Sequence, residues 1–103
     1  MTMMCKLPDG RRYNPEIMNA FRVEVTDTFG RDANYCWVHE HFILRPRDDK
    51  AGQRSLVREA KALEGWTGER CETHDHGLEI EVRPRRACMI MFIMWCDPGG
   101  YYE

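Results

Sequence analysis

Ala87-Cys88-Met89-Ile90-Met91-Phe92-Ile93-Met94-Trp95-Cys96 carries no charge, glycine or proline, in a chain of 103 residues that is 31% charged. A strand points alternate side chains to opposite faces, so a segment with no polar parity has to be covered on both. It falls well short of the roughly 20 apolar residues a membrane-spanning helix needs. The segment is read as the central strand of a small sheet, and the other elements are placed around it.

Just upstream, Leu78, Ile80 and Val82 alternate with Glu79, Glu81 and Arg83, the pattern of a half-buried strand. Pro84-Arg85-Arg86 turns that strand into the apolar run. Residues 69–73 form a further strand, joined to it through the turn His74-Asp75-His76-Gly77. Nearer the N-terminus, Phe21, Val23 and Val25 share one face and Arg22, Glu24 and Thr26 the other. The loop Asp27-Thr28-Phe29-Gly30-Arg31-Asp32 leads into a strand over 34–44, giving an antiparallel hairpin.

Between the two groups of strands the period becomes helical. Leu56, Val57, Ala60 and Leu63 line one stripe over 51–64, with Arg54, Arg58, Glu59, Lys61 and Glu64 outside it. Asp48 and Asp49 sit near the start, where the helix dipole favours negative charge. Gly65 and Gly68 supply the stop, and Trp66 between them folds back onto the stripe.

The lead-in, residues 1–20, reads as a loosely structured arm. Pro8-Asp9-Gly10 is turn chemistry, and Asn14-Pro15-Glu16 caps a single helical turn. Ile17, Met18 and Phe21 are expected to pin the arm to the core. The tail, 97–103, is expected to break structure and stay mobile. The whole is read as one domain, 1–103, of α+β class: an antiparallel sheet of about five strands in the order β-β-α-β-β-β, with one helix packed on one face. One helix cannot cover both faces. The second cover is expected from the arm, from sheet curvature or from a second copy of the chain, with a homodimer favoured.

Composition narrows function. A net charge of −2 provides no global attraction to nucleic acid. The basic residues are twelve Arg against three Lys, and Arg is the cation enriched at protein contacts. The five cysteines have no disulfide-scaffold spacing, and the first residues show no apolar secretory core, so a cytoplasmic, reduced setting is expected. Neither a membrane partner nor a cofactor is expected.

One spacing occurs twice. Cys36-x-x-His39-x-His41 and Cys71-x-x-His74-x-His76 together hold all four histidines. Such donors suit a tetrahedral zinc site, although on a regular strand Cys36 points away from His39 and His41. They also fit none of the familiar finger spacings. Metal binding is the weaker alternative, and the plain reading is exposed histidines with buried cysteines. No nucleophile elbow or phosphate-cradling loop is present, so no catalytic residue is assigned and the chain is not read as an enzyme. The carboxylates of Glu69, Glu72, Glu79 and Glu81 read as the wet face of a sheet.

Two surface readings remain. A protein-binding module would use Tyr35 and Trp37 with Arg83, Arg85 and Arg86. A single-stranded nucleic-acid binder would stack bases on Tyr13, Tyr35 or Trp37 and hold phosphates with Arg11, Arg12, Arg45, Arg47 and the same arginines. The acids interleaved among these cations favour the first.

Two blocks carry a resemblance: Val23-Glu24-Val25-Thr26-Asp27-Thr28-Phe29-Gly30-Arg31-Asp32-Ala33-Asn34-Tyr35-Cys36-Trp37-Val38, and Leu56-Val57-Arg58-Glu59-Ala60-Lys61-Ala62-Leu63 continuing through Gly65-Trp66-Thr67-Gly68. Over about a third of the chain they resemble small uncharacterised proteins of bacterial phages and plasmids. The resemblance implies a mobile-element inhibitor or adaptor, of the kind that includes anti-CRISPR proteins, whose partner is a host protein or ribonucleoprotein complex. It brings no catalytic motif.

Overall fold

The computed structural model describes residues 4–96. The strands are β1 (Cys5–Lys6), β2 (Arg12–Tyr13), β3 (Met18–Phe29), β4 (Asp32–Pro46), β5 (Cys71–Asp75), β6 (Glu79–Pro84) and β7 (Met89–Trp95), with helix α1 (Gly52–Glu64) between β4 and β5. Five of them form an antiparallel sheet in the order β4-β3-β7-β6-β5, and β1 pairs with β2 in a separate small sheet. The α+β class expected from the sequence is the one found.

The apolar run is the middle strand. Met91 and Ile93 pack with Val23, Val25, Ile43, Ile80 and Val82 beneath Leu56, Ala60 and Trp66 from the helix side. Ile90, on the other parity, is also buried. Trp66 folds back as expected. Gly65 takes φ +83° and its N–H reaches the Ala62 carbonyl, while the Trp66 N–H reaches that of Lys61, a closure that seats the indole on the core. Leu63, expected in the buried stripe, is instead exposed. It lies one turn beyond the last buried helix position, Ala60, and lines an open hollow with Arg11, His41 and Phe42.

The opposite face is covered in two ways. At one end the arm folds over it, so Cys5, Leu7 and Tyr13 pack on Ala20, Phe42 and Cys96. The lead-in is therefore more ordered than expected. Its single turn at Asn14 is present, with the Met18 N–H on the Asn14 carbonyl and the Glu16 N–H on the Asn14 Oδ1. Of the residues expected to pin the arm, only Met18 joins this cluster; Phe21 faces the helix and Ile17 is exposed. The difference arises because β3 begins at Met18 and alternation then sends odd residues to the helix side. Toward the middle, the face is closed by charge pairs: Arg22 with Glu24 and Glu40, each at 2.7 Å, and Arg83 with Glu81 at 2.8 Å. Phe92 is flanked in register by Glu24 and Glu81.

The hairpin is longer than its alternation suggested. Strand β3 runs to Phe29, and the chain reverses at Gly30 (φ +60°) and Arg31 (φ +75°). Positive φ at both central residues is the turn geometry that matches strand twist. The tail, 97–103, expected to be mobile, lies outside the described residues. Among the described residues no helix is long and apolar enough to cross a membrane.

Met91, fully buried in β7, sets a test of this core. Met91→Ala is expected to lower the free energy of unfolding by about 2–5 kcal/mol. Leu78→Ala, at a side chain 91% exposed, is expected to change it by no more than about 0.5 kcal/mol. Urea titrations of the two variants make the comparison.

Candidate functional site

The two Cys/His triplets lie at opposite sheet edges. Cys36, His39 and His41 belong to β4, whereas Cys71 and His74 belong to β5, with His76 just after it. Three strands separate the two edges, and neighbouring strands lie about 4.8 Å apart, so a shared four-ligand centre does not form. Among the described residues no three His, Cys, Asp or Glu side chains converge as a metal site. The repeated spacing is two separate local arrangements.

In β4 the partner of the histidines is a carboxylate the sequence placed on the solvent side of the helix. The side chain of Glu64 is only 8% exposed; its Oε2 lies 2.8 Å from His39 Nδ1 and its Oε1 2.8 Å from His41 Nε2. An ionised carboxylate only accepts hydrogen bonds, so both ring nitrogens donate. When the rings are neutral this requires opposite tautomers, with Nε2 of His39 and Nδ1 of His41 as the acceptors. The placement offsets a local conflict, because a negative charge at a helix C-terminus opposes the dipole. His39 also packs on Trp37, with ring centroids 4.7 Å apart. Cys36, the expected third member, is engaged elsewhere: the Asn34 amide donates to its Sγ at 2.8 Å.

That engagement belongs to a bulge. Register shifts between the pairs Thr26↔Val38 and Thr28↔Ala33, so residues 34–37 stand opposite Asp27 alone. Asp27 holds the extra residues: its Oδ1 accepts the Cys36 N–H and its Oδ2 the Asn34 amide, both at 2.9 Å. Thr26, fully buried, accepts the Tyr35 N–H at 3.0 Å and donates to the Trp37 carbonyl at 2.9 Å. Tyr35 is thereby held at φ +56°, a conformation costly for a bulky side chain and worth inspecting for function.

The bulge also separates the two aromatic residues that strand parity put on one face. Trp37 joins His39 on the helix side. Tyr35 lies by Glu24 on the far face, where partial burial, then the Glu24 charge, raises its hydroxyl pKa. Both remain exposed, as do Phe29 and Val38 on the same hairpin end.

Of the arginines expected to bind, Arg83 is committed internally. Its Nε donates to Glu81 at 2.8 Å and its Nη1 to the Arg31 carbonyl at 2.6 Å, clamping the hairpin turn onto β6. Arg85 and Arg86 are exposed in the β6–β7 turn. The structure therefore brings the hairpin turn and the 83–85 segment together around one hollow of about 650 Å³. Comparison with protein-family models, with curated proteins and with solved structures finds no match.

Three outcomes check the site. Thr26→Ala leaves the Tyr35 N–H without its acceptor and is expected to cost about 1–3 kcal/mol in a denaturant titration. The Asp27 pKa is lowered, chiefly by the Asn34 amide and also by the Cys36 N–H. Its contribution to stability is therefore present above the ordinary carboxylate pKa of about 4 and lost as pH falls through the lower folded value. Melting temperature should drop over that acid range, and less steeply in Asp27→Asn. With the rings neutral, long-range ¹⁵N NMR should read His39 as the Nδ1–H tautomer and His41 as Nε2–H, and Glu64→Gln should convert one of them.

Proposed function

We propose that the chain is a non-enzymatic protein-binding module whose contact surface is the bulged end of the β3–β4 hairpin. The observation that carries this reading is the fixed display of Tyr35, Trp37, Val38 and Phe29. Each is exposed, and the bulge behind them is held by Thr26 and Asp27 instead of being left loose. Aromatic side chains on a preorganised backbone bind at low entropic cost, and Trp and Tyr are the residues that dominate contact energies. The exposed Arg85 lies along the same hollow as the hairpin turn and adds a polar rim.

The nucleic-acid alternative would use Tyr35 on the far face, where the charges of Glu24 and Glu79 act on its hydroxyl. Carboxylates there oppose a phosphate backbone. The narrower reading, a mobile-element inhibitor of a host defence complex, is supported by the sequence resemblance alone and shares the same test.

Immobilised wild-type chain and the Tyr35→Ala/Trp37→Ala variant are exposed to the same bacterial lysate, after matched melting curves. A protein retained by the wild type and lost by the variant is the expected result, confirmed by direct titration with that protein once purified. Retention that is equal on both chains would overturn the surface assignment. A light-scattering mass of twice the chain, reverting in the variant, would make the partner a second copy.

A further inference from the structure

Helix α1 divides its charges between the two edges of the sheet. Its acids are used on the β4 side: Glu59 pairs with Arg45 at 2.9 Å, and Glu64 with the two histidines. Its cations Arg54, Arg58 and Lys61 lie on the β5 side and line a groove of about 750 Å³, together with Val57, Ala62 and Thr73. Lys61 spends one N–H on the Glu69 carbonyl at 2.7 Å. Arg54 and Arg58 have no ion pair or hydrogen bond with any described residue.

The wall of this groove is an open strand edge. The Arg85 N–H donates to the Arg70 carbonyl and the His76 N–H to that of Glu79. In the β5–β6 register both are hydrogen-bonded pairs, with the even residues of β5 turned toward β6. By alternation, the backbone N–H and C=O groups of Cys71, Thr73 and Asp75 point away from the sheet. An outward-facing edge is a template for another strand.

We propose that this groove takes an extended acidic segment of a partner protein, added to β5 as a sixth strand with alternate carboxylates on the helix cations. Spacing supports that occupant. Along a helix, Arg54, Arg58 and Lys61 rise by about 6 and 4.5 Å, and alternate residues of a strand recur every 6.6–6.8 Å or so. Asp75, its charge held by the Gly77 N–H and the Gln53 amide, marks one end of the row and restricts the acidic stretch to about three alternate positions. A continuous polyphosphate would meet Asp75 and gain nothing from the strand edge. The inference rests on reading the chain as a protein-binding module, but it uses a surface distinct from the hairpin end.

The probe is a fluorescein-labelled Val-Glu-Val-Glu-Val-Glu-Val peptide titrated by anisotropy at low ionic strength. Comparators are its Val-Lys counterpart and an oligothymidylate of equal charge. Saturable binding of the acidic peptide alone is expected, weakened about tenfold or more in Arg54→Glu/Arg58→Glu, where like charges then face each other. Methylating alternate peptide nitrogens should abolish it, because pairing with β5 needs those N–H groups. Absence of acidic-peptide binding, equal binding by the double variant, or tighter binding of the oligothymidylate would overturn the proposal. If the double reversal fails to melt cooperatively, Arg54→Gln/Arg58→Gln answers the same question. Trp37→Ala should leave peptide binding unchanged, so failure here is separable from failure at the hairpin end.

Discussion

A central strand that is apolar on both faces demands two covers, and the chain supplies one helix among the described residues. The rest of the architecture answers that demand. The helix covers the odd residues of β7, Met91 and Ile93, by packing Leu56, Ala60 and Trp66 over the middle of the sheet. The even residues lie on a face shared between two different materials. At one end the arm contributes Cys5, Leu7 and Tyr13; farther along, Arg22 and Arg83 lie over Glu24, Glu40 and Glu81. Exposed ion pairs contribute little stability; Phe92 and Met94, in register with Glu24 and Arg22, stay half-buried on this face.

Holding one helix in place on a sheet this wide is a problem of orientation as much as of burial. Leu56 and Ala60 fix its middle. Its N-terminal side is tied through Arg45, whose guanidinium bridges Asp49, Ser55 and Glu59. Its C-terminal end is tied by Glu64 to His39 and His41. Both ties run to β4, one edge of the sheet, and the helix therefore leaves a groove at the other. The fastening that determines the fold thus also determines which surface stays open.

The strands and the helix were legible because their periods differ and each has one wet face. The apolar run needed no partner to be recognised, and Phe21, Val23 and Val25 show their parity directly. The arm was not legible, because two-residue strands carry no period and their pairing depends on the turn at Pro8-Asp9-Gly10 and on Leu7 finding a pocket. Nor was the bulge: Tyr35, Cys36, Trp37 and Val38 read as a strand apolar on both parities, and only Asp27 opposite them shows why. The candidate site failed to read for a related reason. Its organising residue, Glu64, lies more than twenty positions from the histidines and sits on the polar side of an amphipathic pattern, where a carboxylate attracts no notice. A Glu at the final turn of a helix, disfavoured by the dipole, was the one available signal that it had a tertiary partner.

Net charge conceals the most informative division in the molecule. Counted together, the cations and anions nearly cancel, and the composition gives no reason to expect an anionic partner. In space they do not cancel locally. Arg22, Arg45 and Arg83 lie against carboxylates of a neighbouring strand, of the helix and of their own strand respectively, whereas Arg54 and Arg58 project from the side of a helix whose own acids are turned to the opposite edge. A helix pairs opposite charges across three or four residues, and Arg54, Arg58 and Lys61 stand at those intervals from one another with no acid between them in the row. Repulsion among them is tolerated because the burial of Leu56, Ala60 and Trp66 holds the helix regardless. Stability is thus drawn from one side of α1, and the opposite side is free to be organised for a ligand.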